Sequence, residues 1–344
     1  MSFYIIIFII LALLSYLAKR NLAVFSACIL VLSAIAGLRG MNIGADTHSY
    51  YEYFEFMRKT RHGYMEPLWS WLNLLILNIG GNFNVLLFVV SLLTLGIVGY
   101  VLWKEIKNPQ FGLFLYYALY AFCNSLNGMR QYLAISVVLL AYYFLKNRRN
   151  LLLFVCIILM GMWIHHSALL GFLVFPLIYF NFNRWLTVVA LVGTFAVGAT
   201  VFPQIDLSFL YGSYAGYAET GFWVRESPVQ AMILALLMDI YMVCILFTSP
   251  KNVRENLYFK ILLFGILIMN LTFRIEIMAR IILYFTIVQI VLIPLYLTDI
   301  KAKPLSKLII EVLMLFYFSS IFFKILILGN SGVYSLYPYV IQIY

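Results

Sequence analysis

Residues 83–103 read FNVLLFVVSLLTLGIVGYVLW, and this stretch decides the class of fold. It contains no charged side chain, and it is long enough for an α-helix to cross the hydrocarbon core of a bilayer, which takes about 20 residues. A helix that is apolar on nearly every face is buried in a protein core or in a membrane. The stretch therefore predicts a membrane-spanning helix.

The composition of the whole chain repeats that of this stretch. Of its 344 residues, 65% are hydrophobic and 10% are charged, whereas a soluble domain is roughly half apolar and about one quarter charged. So few charges exclude a water-soluble fold of this size. We expect an all-α fold, a polytopic transmembrane helical bundle that forms a single domain over residues 1–344.

Apolar runs that alternate with short polar segments predict about twelve spans. Their predicted bounds are 3–18, 21–38, 83–103, 110–123, 130–145, 151–164, 168–180, 185–202, 229–247, 257–273, 281–297 and 308–328. Several of these runs are shorter than the roughly 20 residues that cross a bilayer. We expect the short runs to end in a cavity lined by protein, where irregular backbone is tolerated.

Lysine and arginine concentrate in every second loop, beginning with Lys19 and Arg20. Basic loops stay on the cytoplasmic side of a membrane, so this pattern predicts that both chain termini lie on the outer side. The same rule explains the formal net charge of +10 without a nucleic-acid partner.

Two long segments lie on the predicted outer side, residues 39–82 and residues 203–228. The first contains an apolar run, 67–79, which is too short to cross a bilayer. The next span must start on the same side, so this run cannot cross. We expect it to form a short non-crossing helix in the outer interface.

Four arginines stand at the outer ends of predicted spans, against the positive-inside trend: Arg39, Arg130, Arg274 and Arg280. A guanidinium binds phosphate oxygens through two parallel hydrogen bonds and keeps its charge. We therefore expect an anion site in an outward-facing cavity. Two alternatives stay open: Arg39 extends to lipid headgroups, or Arg280 pairs with Glu276 four residues before it.

Proton transfer from a hydroxyl group near neutral pH needs an acceptor within hydrogen-bond reach. The predicted outer side offers Asp46, Glu66, His165 and His166. Glu66 precedes the short helix, where it either caps that helix or acts as a base with a raised pKa. Adjacent helical side chains point about 100° apart, so only one histidine can face a shared cavity. We favour Glu66 as the base, with His166 as the alternative base or a phosphate ligand. Asp46 either takes part or only shapes its loop.

No metal, cofactor or disulfide is expected. The four cysteines are scattered through apolar runs without a CxxC pair. A metal site would need His48 or His62 to converge with His165 or His166, and no HxxxH or HExxH spacing supports one. We therefore expect the chemistry of this protein to be metal-independent.

The residues after the second span, R-G-M-N-I-G-A-D-T-H-S-Y-Y at 39–51, resemble the signature of the EpsG / Wzy-type polysaccharide polymerase family. Further motifs follow in the order that this family shows. They are Glu66 before the short helix, Arg130-Gln131, His166-Ser167-Ala168, Arg280 with Tyr284, and Tyr337-Pro338-Tyr339. The resemblance covers nearly the whole chain, and the compact outer loops fit the EpsG-like branch.

The resemblance implies a membrane glycosyltransferase, similar to other lipid-sugar-dependent integral membrane glycosyltransferases. Such an enzyme polymerises undecaprenyl-diphosphate-linked oligosaccharide repeat units into a surface polysaccharide, namely O-antigen of lipopolysaccharide, capsule or exopolysaccharide. It implies a location in the bacterial inner membrane, with the active site facing the periplasm. The partners would be a lipid-linked donor and acceptor, membrane lipids and a chain-length regulator protein. We assign to substrate binding Arg39, Arg130, Arg274, Arg280, Tyr284, His165, Tyr51 and Tyr339.

The alternative from a different class is a lipid-linked oligosaccharide flippase or another transporter. It too would be polytopic with basic cytoplasmic loops, but transporters usually carry internal repeats, and the sequence shows no convincing halves. A membrane acyltransferase would also use a histidine and an arginine, but a clear matching motif is lacking.

Overall fold

The computed structural model describes residues 1–146, 150–200, 228–300 and 336–344, together with single helical positions between 312 and 327. Across these ranges the regular structure is helical and no β-strand occurs, which confirms the all-α class. The chain divides into two compact units, the first made of Met1–Phe172 with Ala302–Tyr344 and the second of Leu173–Lys301. The single domain over 1–344 stays a prediction.

Helix α5 (Phe83–Glu105) is central to the packing of the first unit, because it contacts α2 (Leu22–Gly37), α6 (Pro109–Ala118) and α8 (Met129–Lys146). Its buried face includes Leu87, Val90, Thr94 and Val98, which recur at the three- and four-residue spacing of one helix face. The helices of this unit are α1 (Ser2–Leu17), α2 (Leu22–Gly37), α3 (Thr47–Thr60), α4 (Pro67–Asn78), α5 (Phe83–Glu105), α6 (Pro109–Ala118), α7 (Ala121–Asn127), α8 (Met129–Lys146) and α9 (Leu151–Met162).

Asparagine side chains cap the N-terminal ends of several apolar helices. The Oδ1 atoms of Asn21, Asn82 and Asn108 accept hydrogen bonds from backbone N–H groups in the first turns of α2, α5 and α6, each at 3.1 Å. Asparagine is a strong N-cap residue because its oxygen satisfies an N–H group that the helix leaves unpaired. These polar residues therefore set the points at which the apolar runs become helical.

Helix α13 (Leu257–Thr272) is central to the second unit, because it contacts α10 (Arg184–Thr200), α11 (Val229–Thr248), α14 (Met278–Thr286) and α15 (Gln289–Asp299). Asp239 on α11 accepts a hydrogen bond from Asn270 Nδ2 on α13 at 2.8 Å, so a polar contact joins two apolar helices. A 3-10 helix, His166–Ile178, begins in the first unit and ends in the second. The helices that follow are α10 (Arg184–Thr200), α11 (Val229–Thr248), α12 (Lys251–Arg254), α13 (Leu257–Thr272), α14 (Met278–Thr286) and α15 (Gln289–Asp299).

Three helical stretches are long and apolar enough to cross a membrane, namely Phe83–Glu105, Val229–Thr248 and Met278–Asp299. Together with shorter apolar helices they fit an integral membrane protein, but the predicted number of twelve spans is not confirmed. The shorter helices, of 10–17 residues, are Ser2–Leu17, Leu22–Gly37, Leu151–Met162, His166–Ile178, Arg184–Thr200 and Leu257–Thr272.

The structure divides two of the predicted spans. The run 110–123 is split between α6 and α7 at Tyr120, whose φ of 67° is left-handed and cannot continue a right-handed helix. The run 281–297 is split between α14 and α15. Two further predictions, the loop 203–228 and the span 308–328, lie wholly or mostly outside the described residues.

The predicted segment 39–82 contains more helix than expected. The short helix predicted at 67–79 is confirmed as α4, which at about 1.5 Å per residue is far shorter than the roughly 30 Å hydrocarbon core. Helix α3 was missed, because it is polar on one face. Its other face buries Tyr50, Tyr53 and Met57 at helical spacing.

The C-terminal residues pair with the loop that follows α2. The N–H group of Gly40 donates to Val340 O at 2.8 Å, and the N–H group of Gln342 donates to Leu38 O at 3.0 Å. Asn84 Nδ2 donates to Gln342 O at 2.8 Å, which ties the same segment to the start of α5. The segment thus holds the end of α2 and the start of α5 together.

Candidate functional site

Glu66 stands at the N-terminal end of α4, where the chain turns into the helix at Pro67. Proline suits the first helical position, since its missing N–H group would have no partner there. The next N–H group, that of Leu68, donates to Trp163 O at 2.9 Å. This contact fixes the start of α4 against the end of α9 and carries the Glu66 side chain to a buried position with 7% exposure.

Three segments of the first unit meet at the Glu66 carboxylate. Arg130 Nη1 donates to Glu66 Oε2 at 2.6 Å, and His165 Nδ1 lies 3.2 Å from Glu66 Oε1. The backbone N–H group of His166 donates to the same Oε1 at 3.4 Å. We call Glu66, Arg130 and His165 the polar triad. The sequence analysis selected all three residues, but it did not predict that they contact one another.

The surroundings of Glu66 lower its pKa, which opposes the raised pKa that the interpretation of Glu66 as a base assumed. Burial by itself would raise the pKa of this carboxyl, but the hydrogen bond from His165 and the charge of Arg130 outweigh that effect. Together they lower the pKa from its ordinary value of 4.5 to about 2. Glu66 is therefore ionised at neutral pH, and a carboxylate of such low basicity is a poor proton acceptor.

The ionised state of Glu66 determines which nitrogen of His165 carries a proton. A carboxylate can only accept hydrogen bonds, so the nitrogen that faces it must be protonated. We infer that His165 donates from Nδ1, so that Nε2 is the ring nitrogen that is not bound to Glu66. The same arrangement of carboxylate and imidazole orients the histidine base in hydrolases.

The two adjacent histidines have different positions, as their spacing predicted. The His165 side chain contacts Glu66, whereas the His166 side chain is exposed and its residue contacts Glu66 through the backbone. Of the two, the sequence analysis preferred His166 for catalysis. Periodicity shows that adjacent side chains diverge, but it cannot show which of them faces a partner on another helix.

Arg39 lies in the interior of the first unit, with 1% exposure. Its Nη1 donates to Ala36 O at 2.8 Å, and its Nη2 donates to Leu126 O at 2.9 Å. In this structure the guanidinium is bound to backbone carbonyls, which does not fit extension to lipid headgroups. Burial lowers the pKa of Arg39 to about 10, so the side chain still carries its charge at neutral pH.

The loop that follows Arg39 packs tightly on the junction between α7 and α8. A Cβ atom at Gly44 would lie 2.6 Å from Leu126 O, which is too close for any larger residue. The φ of Gly44 is +82°, a backbone conformation that also favours glycine. The N–H group of Asp46 donates to Asn127 Oδ1 at 2.9 Å. Arg130 follows this junction directly, so the loop supports the residue that binds Glu66.

The predicted tyrosines of the first unit contact other parts of it. The Tyr51 ring packs on the rings of Phe83 and Tyr344. Tyr339 donates from its hydroxyl to Ile35 O at 2.6 Å, and its ring stacks on Phe3. Both tyrosines therefore help to hold the C-terminal segment in place.

The remaining predicted site residues belong to the second unit. Arg274 Nη2 donates to Ala199 O, at the end of α10, at 3.3 Å. Arg280 is exposed on α14, and Tyr284 on the same helix is fully buried. Convergence of all four arginines on one anion stays a prediction.

Two residues that the sequence analysis missed support Glu66. Ser70 Oγ donates to Met65 O at 3.1 Å and lies 2.6 Å from the Tyr53 hydroxyl. These contacts fix the chain on both sides of Glu66 to helix α3. The helical spacing of the apolar side chains in α3 was the signal that would have revealed Tyr53 as a buried contact.

Within the described parts of the chain, no group of three histidine, cysteine, aspartate or glutamate side chains is placed to hold a metal ion.

Comparison with known proteins identifies the family. No curated protein and no solved structure matches the chain. A family model described as the EpsG family matches residues 22–341, and this range includes every member of the polar triad. The chain therefore belongs to the EpsG family, the Wzy-type polysaccharide polymerases that its motifs resemble.

Proposed function

We propose that this protein polymerises undecaprenyl-diphosphate-linked oligosaccharide repeat units into a surface polysaccharide at the periplasmic face of the bacterial inner membrane. The polar triad carries the proposal. In a chain of the EpsG family, it combines an imidazole that a buried carboxylate orients with a guanidinium at the end of an apolar helix. A transporter that does not couple transport to proton movement does not need a proton acceptor oriented in this way.

His165 is the proton acceptor in this proposal, and Glu66 orients it. The acceptor sugar hydroxyl attacks the anomeric carbon of the donor chain, and a new C–O bond forms there. The bond from that carbon to the lipid diphosphate breaks, and its electron pair leaves with the diphosphate. The hydroxyl proton passes to His165 Nε2.

The leaving diphosphate needs positive charge more than it needs an acid, since it departs readily once its charge is stabilised. Arg130, a member of the triad, contributes positive charge through the guanidinium N–H groups that do not bind Glu66, and the exposed His166 side chain is a further ligand. Substrate binding by Arg274, Arg280 and Tyr284 stays a prediction. Arg39 acts by positioning the start of α8, and Asp46, Tyr51 and Tyr339 belong to the scaffold around it.

Deletion of the gene tests this function against the flippase alternative. Loss of a polymerase leaves single repeat units on the outer side of the membrane or attached to the final acceptor. Loss of a flippase leaves lipid-linked repeat units on the cytoplasmic side. Outer single repeats that become polymer again on re-expression support the proposal, and accumulation of cytoplasmic repeats would contradict it.

A further inference from the structure

Two exposed aromatic side chains flank the polar triad. Tyr64 is two residues before Glu66 and is 69% exposed, and Trp163 is two residues before His165 and is 53% exposed. Two residues of extended chain span at most about 7 Å. The backbone of Tyr64 therefore lies close to that of Glu66, and the backbone of Trp163 lies close to that of His165.

Both aromatic residues are held in place by the contacts that build the triad. The Tyr64 ring packs at 90° on the Tyr53 ring with centroids 4.9 Å apart, and at 66° on the Phe56 ring at 5.3 Å. The carbonyl of Trp163 accepts the N–H group of Leu68 at the start of α4. The contacts fix the ring of Tyr64 and the backbone of Trp163, and a ring fixed like that of Tyr64 loses little conformational freedom when a ligand packs on it.

The chemistry of these rings fits the carbohydrate part of the substrate. The face of an aromatic ring carries negative partial charge, and the C–H groups on one face of a pyranose ring carry positive partial charge. We propose that Tyr64 and Trp163 form an acceptor subsite, in which sugar rings stack beside the triad and present a hydroxyl group to His165. This inference rests on the proposed polymerase function and names the part of the substrate that these residues recognise.

A membrane-interface belt is the competing explanation, because tryptophan and tyrosine also concentrate at headgroup level. Helix α4 supplies a matched control for that explanation. Trp71 is 56% exposed on the same short helix, but it lies a full turn beyond Glu66. If the rings belong to a membrane-interface belt, replacing Trp71 or Trp163 should have the same effect. If they form the acceptor subsite, only the replacement of Trp163 among these two tryptophans should weaken substrate binding.

The test uses the purified protein in lipid nanodiscs, with lipid-linked repeat units isolated from cells that lack it. The variants are Tyr64→Leu, Tyr64→Phe, Trp163→Leu, Trp163→Phe and the control Trp71→Leu. The leucine variants at 64 and 163 should raise KM for the repeat unit about 3- to 10-fold, the loss expected for one aromatic contact. Both phenylalanine variants should stay within about twofold of wild type, as should Trp71→Leu, and kcat at saturation should change little in every variant.

The outcomes separate this inference from the function on which it rests. A wild-type protein that forms no polymer contradicts the proposed function itself. A wild-type protein that forms polymer, with unchanged KM in both leucine variants, overturns the acceptor subsite alone. An equal increase in KM for Trp71→Leu and Trp163→Leu would assign the rings to the membrane interface.

Discussion

Glu66 shows how a burial effect on one carboxyl is reversed by its neighbours. A glutamate beside apolar helices suggests a raised pKa, and the sequence contains no sign that a histidine and an arginine from two other segments reach it. Arg130 and His165 follow Glu66 by 64 and 99 residues. Contacts between residues so far apart in the sequence depend on the tertiary fold. Local spacing could therefore identify these residues as candidates, but it could not predict that their side chains contact Glu66.

The first prediction concerns the proton acceptor. Replacing His165 with glutamine removes the basic nitrogen and keeps a polar side chain of similar reach. We expect kcat for polymer formation by the purified protein to fall by about 10²–10⁴, while the affinity for the lipid-linked repeat unit changes little. His48→Gln is the control, since His48 pairs with Glu52 on the exposed face of α3. Near wild-type turnover by His165→Gln would remove His165 from the chemistry.

The second prediction concerns the charge of Glu66. Because the folded-state pKa is lowered to about 2 from 4.5, the carboxylate stabilises the folded protein at pH values above its ordinary pKa. That stabilisation is lost as pH falls through the folded-state value. The thermal stability of wild type should therefore exceed that of Glu66→Gln by a constant amount from pH 8 to pH 6, and the excess should shrink below about pH 4.5.

Thermal unfolding in detergent at a series of pH values measures that difference. Glu52→Gln is the control, because Glu52 lies on the exposed face of α3 and its only partner there is the exposed His48. An excess that shrinks already between pH 8 and pH 6 would show that Glu66 titrates near neutral pH. That result would restore Glu66 as a candidate base.

At the scale of elements, the apolar helices were predictable and their polar interruptions were not. The starts of α2, α5 and α8 agree with prediction to within one residue, because long apolar runs flanked by asparagine or arginine determine them. The left-handed Tyr120 that splits α6 from α7 has no such signal. Its conformation is set by the packing of the elements on either side.

The third prediction concerns the loop that begins at Arg39. Replacing Arg39 with methionine leaves the carbonyls of Ala36 and Leu126 without their donors, and each buried unsatisfied group costs about 1–3 kcal/mol. We expect a clear loss of thermal stability together with reduced polymer formation, since the junction that carries Arg130 is no longer fixed. Arg61→Met is the control, because Arg61 is exposed and contacts only the Asn78 side chain at 3.0 Å among the side-chain contacts described.

Lysine at position 39 separates positioning from substrate binding. Its single ammonium group keeps the charge but cannot bind both carbonyls through one planar fork. A positioning role predicts that stability and turnover fall together in this variant. A variant that unfolds at the wild-type temperature but has lost affinity for the repeat unit would instead make Arg39 a direct ligand.

At the scale of the first unit, the basic loop residues and the polar triad lie at opposite ends of the same helices. Arg20 donates to Trp103 O and Ile106 O at the C-terminal end of α5, and Lys146 at the end of α8 pairs with Glu105. Arg130 stands at the other end of α8, with the C-terminal segment at the corresponding end of α5. The sequence predicted this separation from loop charges alone, because the positive-inside rule needs no tertiary contacts.

The last prediction follows from that separation. If the basic end is cytoplasmic, the polar triad and the C-terminal segment face the periplasm. A reporter enzyme that is active only in the cytoplasm should then be silent when fused after Tyr344 and active when fused after Lys107, in the loop between α5 and α6. Lys107 is a suitable comparison because it lies just beyond the carbonyl that Arg20 binds. Activity after Tyr344 and silence after Lys107 would reverse the orientation and place the proposed chemistry on the cytoplasmic side. Activity at both positions would place Lys107 and Tyr344 on the same side of the membrane, which requires an even number of crossings between them and contradicts the odd number proposed.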